Sequence, residues 1–310
     1  MSIFEEYKVG EDCVFTAMVV SLQKRFTSNE NTYYCATLSD GNINVDARIW
    51  KCSLIEDANI KEGDVCNISA HINNYNDKLQ YVIKQIALCE TADQSEFVKK
   101  APVEEKELRI KIKEYINKIN NKKFLSIINK LLMENDEAYY TYPAAMSMHH
   151  GYKCGLVYHT YSMLKLADTI ISNYPGINSD LLYTGIILHD IGKTKELSGV
   201  NNPVYTKEGN LLGHIVIGLQ MIAVAAKELN IENTEEIDML EHLIASHHGE
   251  LEYGSPKTPL TMEAWALHNI DLIDAKLASL SVEVVKTEKG SQTGQINSIN
   301  RKSLYVPNIE

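Results

Sequence analysis

The chain has 310 residues, 45% of them hydrophobic, and a formal net charge of -11, which supplies enough apolar surface for two domains without covalent staples. That acidity excludes a protein that coats nucleic acid through its overall field, though not one with a local basic channel. Cys13, Cys35, Cys52, Cys66, Cys89 and Cys154 form no C-x-x-C pair, and residues 1–10 lack a signal pattern. With no apolar run of about 18 residues expected, the reading is a soluble cytoplasmic protein with reduced thiols and no membrane partner.

From Cys13 onward the sequence alternates in short β-rich runs over residues 13–22, 32–38, 43–50, 64–72 and 79–88. Asp40-Gly41 gives a hairpin signal and residues 73–78 a turn, while residues 51–63 interrupt the series after the third strand. Five such strands predict a small Greek-key barrel of the OB type. Tyr33, Tyr34, Arg48, Trp50, Tyr75 and Tyr81 are candidates for holding a single strand by stacking and charge, with Arg48, Trp50 and Tyr81 foremost. The competing expectation is that several of them fill the barrel.

Residues 91–106 are polar, contain Pro102 and read as a linker. From Glu107 the period changes: Leu108, Ile112, Tyr115, Ile116 and Ile119, then Phe124, Ile127, Ile128, Leu131 and Leu132, recur at helical spacing. The expected division is a barrel over residues 1–90, a linker over 91–106, an all-α domain over 107–286 and a tail over 287–310. The tail, polar until Leu304, Tyr305 and Val306, is expected to wrap an existing surface.

The chemistry concentrates at Leu188-His189-Asp190-Ile191-Gly192-Lys193, which closes the apolar run of residues 181–188. Read as helix, His189 and Asp190 project about 100° apart toward one point, with Lys193 a turn further on. A buried imidazole and carboxylate are costly to desolvate, and a divalent cation that takes both as ligands removes that cost. The alternative is a solvated pair at a frayed helix end. His159 lies on the stripe Met163, Leu166 and Ile170 of a helix over residues 156–174, and Asp271 lies with Leu267, Ile270, Asp274 and Ala278 on the last long helix.

His159, His189, Asp190 and Asp271 form a nitrogen and oxygen set suited to Mn²⁺, Fe²⁺ or Zn²⁺. His214, with His242, His247 and His248 near the end of a helix that starts around Thr234, offers two readings. Either these residues complete a second metal site, or His214 and His247 bind the substrate phosphate. Lys193 is placed to stabilise developing phosphoryl charge, against the plainer reading of a solvated helix-end lysine. The sequence carries no Ser or Cys nucleophile motif, no phosphate loop and no dinucleotide fingerprint, which leaves hydrolysis by metal-activated water.

The order His159, His189-Asp190, Asp271 resembles the HD phosphohydrolase superfamily. Longer blocks carry a closer likeness: Pro143-Ala144-Ala145 with His149-His150-Gly151, Gly155-Leu156 before His159-Thr160, and Glu208-Gly209-Asn210-Leu211-Leu212-Gly213-His214-Ile215. Further blocks are Ser246-His247-His248-Gly249 followed by Glu252-Tyr253-Gly254-Ser255-Pro256, and Leu267-His268-Asn269-Ile270-Asp271 with Asp274-Ala275-Lys276. Together with the barrel they resemble the YhaM-type 3′-5′ exoribonucleases.

The resemblance implies a Mn²⁺-dependent enzyme with one or two ions, releasing nucleoside monophosphates from single-stranded RNA and, as a further substrate, single-stranded DNA. It implies the metal ligands His159, His189, Asp190, Asp271, His214 and His247, with Asp274 as the alternative to Asp271. Asp190 and Lys193 would be catalytic, and His149, His150 and His248 would contact substrate. Where related binuclear enzymes carry a glutamate four residues before the first histidine, this chain has Gly155. A homo-oligomer is left open. Two other readings compete: a nucleotide phosphohydrolase with a regulatory barrel, and a non-catalytic nucleic-acid-binding protein.

Overall fold

A computed structural model describes residues 2–27, 30–75, 78–92, 94–98, 100–145, 151–200 and 203–309. The chain divides into two compact units, residues 1–100 with 200–202, and residues 101–199 with 203–310.

In the first unit, β1 (Asp12–Phe26), β2 (Thr32–Ser39), β3 (Asn44–Ile49), β4 (Val65–Tyr75) and β5 (Lys78–Leu88) close a barrel in the order β1-β2-β3-β5-β4. Only the β3–β5 pair is parallel, with Ala47 opposite Tyr81, so the connection from β3 to β4 must cross the barrel end. The short helix α1 (Ser53–Glu56) lies in that connection, giving the predicted OB-type topology. β1 runs four residues past its expected end because its register shifts between Val19 and Ser21, bending one strand from β4 onto β2. Phe15, Ala17, Val19, Leu38, Ile49, Ile68 and Ile72 fill the interior, and Phe4 from an N-terminal 3₁₀ turn plugs it.

Tyr81 belongs to that interior. It is fully buried, its ring meets Phe4 edge-on at 5.4 Å, and its hydroxyl donates to the Phe4 carbonyl at 3.2 Å. The assignment of Tyr81 to strand binding is therefore corrected: the alternation of β5 places it inside, where its polar tip has a partner and no route to a ligand.

The second unit is helical: α2 (Glu105–Ile116), α3 (Lys122–Glu134), α4 (Asp136–Thr141), α5 (Gly155–Asn173), α6 (Ser179–Leu188), α7 (Lys193–Glu196), α8 (Lys207–Glu228), α9 (Glu235–Ser246) and α10 (Met262–Val285). Every residue of α6 from Leu181 to Leu188 is buried. A helix apolar on all sides can be satisfied only at the centre of a bundle, and α6 packs on α5, α9, α10 and α3. Its C-terminal end therefore opens into the interior, not onto solvent.

Two expectations need correction. α8 is long and apolar enough to cross a membrane by length and composition. However, Gly213 kinks it at φ 71°, and Ile217, Met221 and Ile222 point into the helical core. The His189-Asp190 pair does not continue α6 either. Residues 189–192 form a tight turn with Ile191 N–H donating to Leu188 O and Lys193 N–H to Asp190 O, before α7 begins.

The tail folds back as bridged segments, Gln292 with Tyr305 and Ile296 with Lys302. Ser279 of α10 bonds Ser298 through their hydroxyls, and the Lys276 ammonium donates to the Ser298 carbonyl, which ties the tail to α10 as expected. All six cysteines are free thiols.

Candidate metal centre and strand-binding face

Five segments converge at the C-terminus of α6. His159 comes from the buried side of α5, His189 and Asp190 from the turn after α6, His214 from just past the α8 kink, His247 and His248 from the end of α9, and Asp271 from α10. Gly192 permits this approach. A Cβ there would lie 2.0 Å from the His214 carbonyl oxygen and 2.8 Å from the Gly218 nitrogen, so only glycine lets the turn lie flat on the α8 backbone.

Each ligand-facing imidazole is oriented in the same way. His189 Nδ1 bonds the Ile186 carbonyl at 2.8 Å, and His247 Nδ1 bonds the Ile244 carbonyl at 2.7 Å, both three residues back on their own helices. His214 Nδ1 meets Glu196 Oε1 at 3.2 Å, and His159 Nδ1 meets Asp274 Oδ2 at 2.7 Å. In His189, His214 and His247, with Nδ1 turned to the protein, Nε2 carries the lone pair of the neutral ring and faces inward, whereas His159 Nε2 meets Asp271.

The inward atoms crowd two carboxylates. Asp190 Oδ2 lies 3.2 Å from His189 Nε2 and 2.7 Å from the Lys193 ammonium, while Oδ1 lies 3.5 Å from His214 Nε2 and 3.9 Å from His247 Nε2. His159 Nε2 lies 3.1 Å from Asp271 Oδ1. The Nε2 atoms of His189, His214 and His247 and the Oδ1 atom of Asp190 are buried without a hydrogen-bond partner among the described residues. Lone pairs facing lone pairs in a buried site are unfavourable by roughly 1–3 kcal/mol each, and divalent cations between them would satisfy all four. The donors fall into two groups, each within 4.8 Å of one another: His159, His189 and Asp271, and His214, His247 and His248. Asp190 lies between the groups, one oxygen toward each.

Electrostatics agree with that chemistry. Burial opposes the charge of Asp190, but Lys193 and His189 outweigh it and hold the carboxyl well below its ordinary range; Asp271 is lowered likewise by His159. Burial, reinforced by His248 and His189, pushes His247 well below the usual histidine value, so it is neutral and able to ligate. Burial would also lower His159, but Asp271 and Asp274 on its two nitrogens raise it to about 9.

The sequence placed His159, His189, Asp190, Lys193, His214, His247, His248 and Asp271 as candidates, and the fold brings these together. His149 and His150 lie outside the described residues. His242 is turned away, its Nε2 accepting from the Leu260 amide at 3.0 Å. Asp271 faces the donors, whereas Asp274 orients His159 from behind. Glu196 was missed: it holds His214 by both ring and backbone. Its signal was present as the three-residue spacing Asp190, Lys193, Glu196. A cavity of about 350 Å³ opens onto Asp190, Lys193, Glu196, His214, His248 and Asp271.

On the barrel, β1, β2 and β3 present one outer face. Gln23 pairs with Cys35 and Cys35 with Arg48, and Arg25 pairs with Tyr33. Trp50, 53% exposed, stacks on Tyr33 with ring centroids 4.8 Å apart. Arg25, Arg48, Gln23 and Asp46 line a shallow groove of about 210 Å³ on this face. Tyr75 is exposed at the end of β4, and the hydroxyl of Tyr34 is engaged by Glu56.

Among solved structures, the mitochondrial single-stranded DNA binding protein from S. cerevisiae is 17% identical over 28% of this chain and 100% of its own, with a TM-score of 0.25. The second OB-fold domain of replication protein A from Methanococcus maripaludis is 16% identical over 30% of this chain and 97% of its own, with a TM-score of 0.24. The helical unit matches a family model. Residues 156–276, which contain every metal-facing side chain described above, match the model described as HD domain.

Proposed function

We propose that this chain is a metal-dependent 3′-5′ exoribonuclease that hydrolyses single-stranded RNA, with single-stranded DNA as a further substrate, from the 3′ end. The HD match supports the coarser part of this reading, a metal-dependent phosphohydrolase. The observation that carries it is the convergence of buried imidazole Nε2 atoms on Asp190 and Asp271 with the Nδ1 atoms of His159, His189, His214 and His247 already committed. Divalent cations held there, Mn²⁺ foremost, would supply Lewis acidity toward water and a phosphoryl oxygen. His159, His189 and Asp271 would hold one ion, His214, His247 and His248 another, and Asp190 would contact both.

Lys193 then neutralises charge on the phosphoryl oxygens, for which its ammonium is 2.7 Å from Asp190 and open to the cavity. The attacking water contributes the new P–O bond, and the bond from phosphorus to the 3′ oxygen of the preceding nucleotide breaks, leaving a nucleoside 5′-monophosphate. The Tyr33–Trp50 stack with Arg25 and Arg48 supports the second part of the reading, retention of a single strand by base stacking and phosphate contacts.

The test uses the full chain stripped of metal, reloaded with Mn²⁺, Mg²⁺ or Zn²⁺, and given RNA labelled at either end. A 3′ label should appear at once as mononucleotide while 5′-labelled strands shorten stepwise. Release of inorganic phosphate from free nucleotides with intact RNA would instead assign the site to a nucleotidase.

A further inference from the structure

We propose that Tyr205 is the platform on which the base of the terminal nucleotide stacks; this rests on the reading of the metal centre as a phosphoester site and deepens it. The cavity at the centre is lined by two unlike kinds of residue. Carboxylates, imidazoles and Lys193 supply charge and polar donors; Ala144, Ala145, Leu197 and Ala275 supply apolar surface, and Tyr205 a phenol ring. A volume of about 350 Å³ lies at the low end for ligand sites and is on the order of one nucleotide. A nucleoside monophosphate matches this mixed lining, its phosphate suited to the charged groups and its flat base to the apolar ones.

Tyr205 is the one aromatic side chain among the cavity residues, and it is 48% exposed. An open ring at the mouth of a charged site gains little from burial, so its position needs another cause. The backbone around it is held firmly. Tyr205 bridges Leu197 in antiparallel fashion, and the next residue, Thr206, donates its N–H to the Glu196 carbonyl at 2.9 Å. The Thr206 hydroxyl donates to the Lys195 carbonyl and accepts the Gly209 N–H that starts α8. The backbone that carries the ring is thus tied to the segment that carries Lys193 and Glu196.

Among the described residues, Ala144, Ala145 and Ala275 add small apolar surface to the lining, with no hydrogen-bonding side chain of their own to offer a base edge. A ring and such small residues hold any base by its face and distinguish none by its edge, as an enzyme that removes successive nucleotides requires.

The test compares binding of adenosine 5′-monophosphate and of ribose 5-phosphate, its counterpart without a base, to the full chain in Mn²⁺ by calorimetry. The wild type should prefer the nucleotide by on the order of tenfold, with similar preferences for the other three nucleoside monophosphates. Tyr205→Ala should lose that preference while keeping its metal content and its affinity for ribose 5-phosphate, and Tyr205→Phe should keep the preference. A Tyr205→Ala protein that still favours the nucleotide would overturn the platform alone, as would equal weakening toward both ligands. A wild type that binds neither phosphate would overturn the phosphoester reading of the site, and the platform with it.

Discussion

Asp274 shows how much of this centre depends on groups that do not touch its ligand. Its carboxylate fixes the ring of His159 from behind, and removing the charge in Asp274→Asn should weaken metal affinity by on the order of 10- to 100-fold, read by competition with a chelating dye. His159 also makes binding sensitive to acid. Its value is raised to about 9, so below that pH the ring holds a proton that must leave before Nε2 can ligate. Affinity should therefore rise with pH toward 9, by up to about tenfold per unit for one released proton. Metal titrations at three pH values check the sign, and a flat response would remove His159 from the ligand set. The residues that face the centre were legible in the sequence because histidine and aspartate interrupt apolar runs, where a metal accounts for them best. The orienting roles of Glu196 and Asp274 were not, since they arise from contacts 18 and 115 residues apart.

Among the elements, the turn between α6 and α7 does the most to shape the site. Gly192→Ala would set a methyl group against the His214 carbonyl and force α8 away. A cost of roughly 1–3 kcal/mol is expected from such overpacking, seen as a lower melting temperature together with loss of the metals that require His214. Unchanged melting and metal content would mean that the close approach does not matter. Strand number, order of elements and the change from period two to helical period were all visible in the sequence. Less visible was the phase of β5: alternation says that Tyr81 and Val82 face opposite sides, but which side is interior depends on closure of the barrel. The same limit applied to residues 189–192, where helical spacing and a tight turn place His189 and Asp190 similarly.

Among the described residues the molecule carries two large hydrophobic clusters, one inside the barrel and one around α6, and a small third one at Met18, Val65 and Val98. Removing residues 1–100 should leave a helical fragment that binds metal and cleaves a dinucleotide at near full rate. Its affinity for an RNA of about twenty nucleotides should fall, each lost stacking contact costing roughly 1–3 kcal/mol. Equal loss on both substrates, measured at steady state, would show that the barrel serves folding instead of strand retention. The composition and the two periodicities announced this division, whereas the convergence of five segments on two carboxylates depended on tertiary packing. One further consequence follows from α10. Glu263, Ala264, Leu267, Ile270 and Asp274 are buried along its first half, but no side chain beyond Asp274 is. Hydrogen exchange along the helix should therefore divide in two: amides up to Asp274 should open only with the core, and those beyond it more readily, restrained by the tail at Ser298. With that boundary at the residue that orients His159, the centre should be insulated from motion at the far end of its own helix.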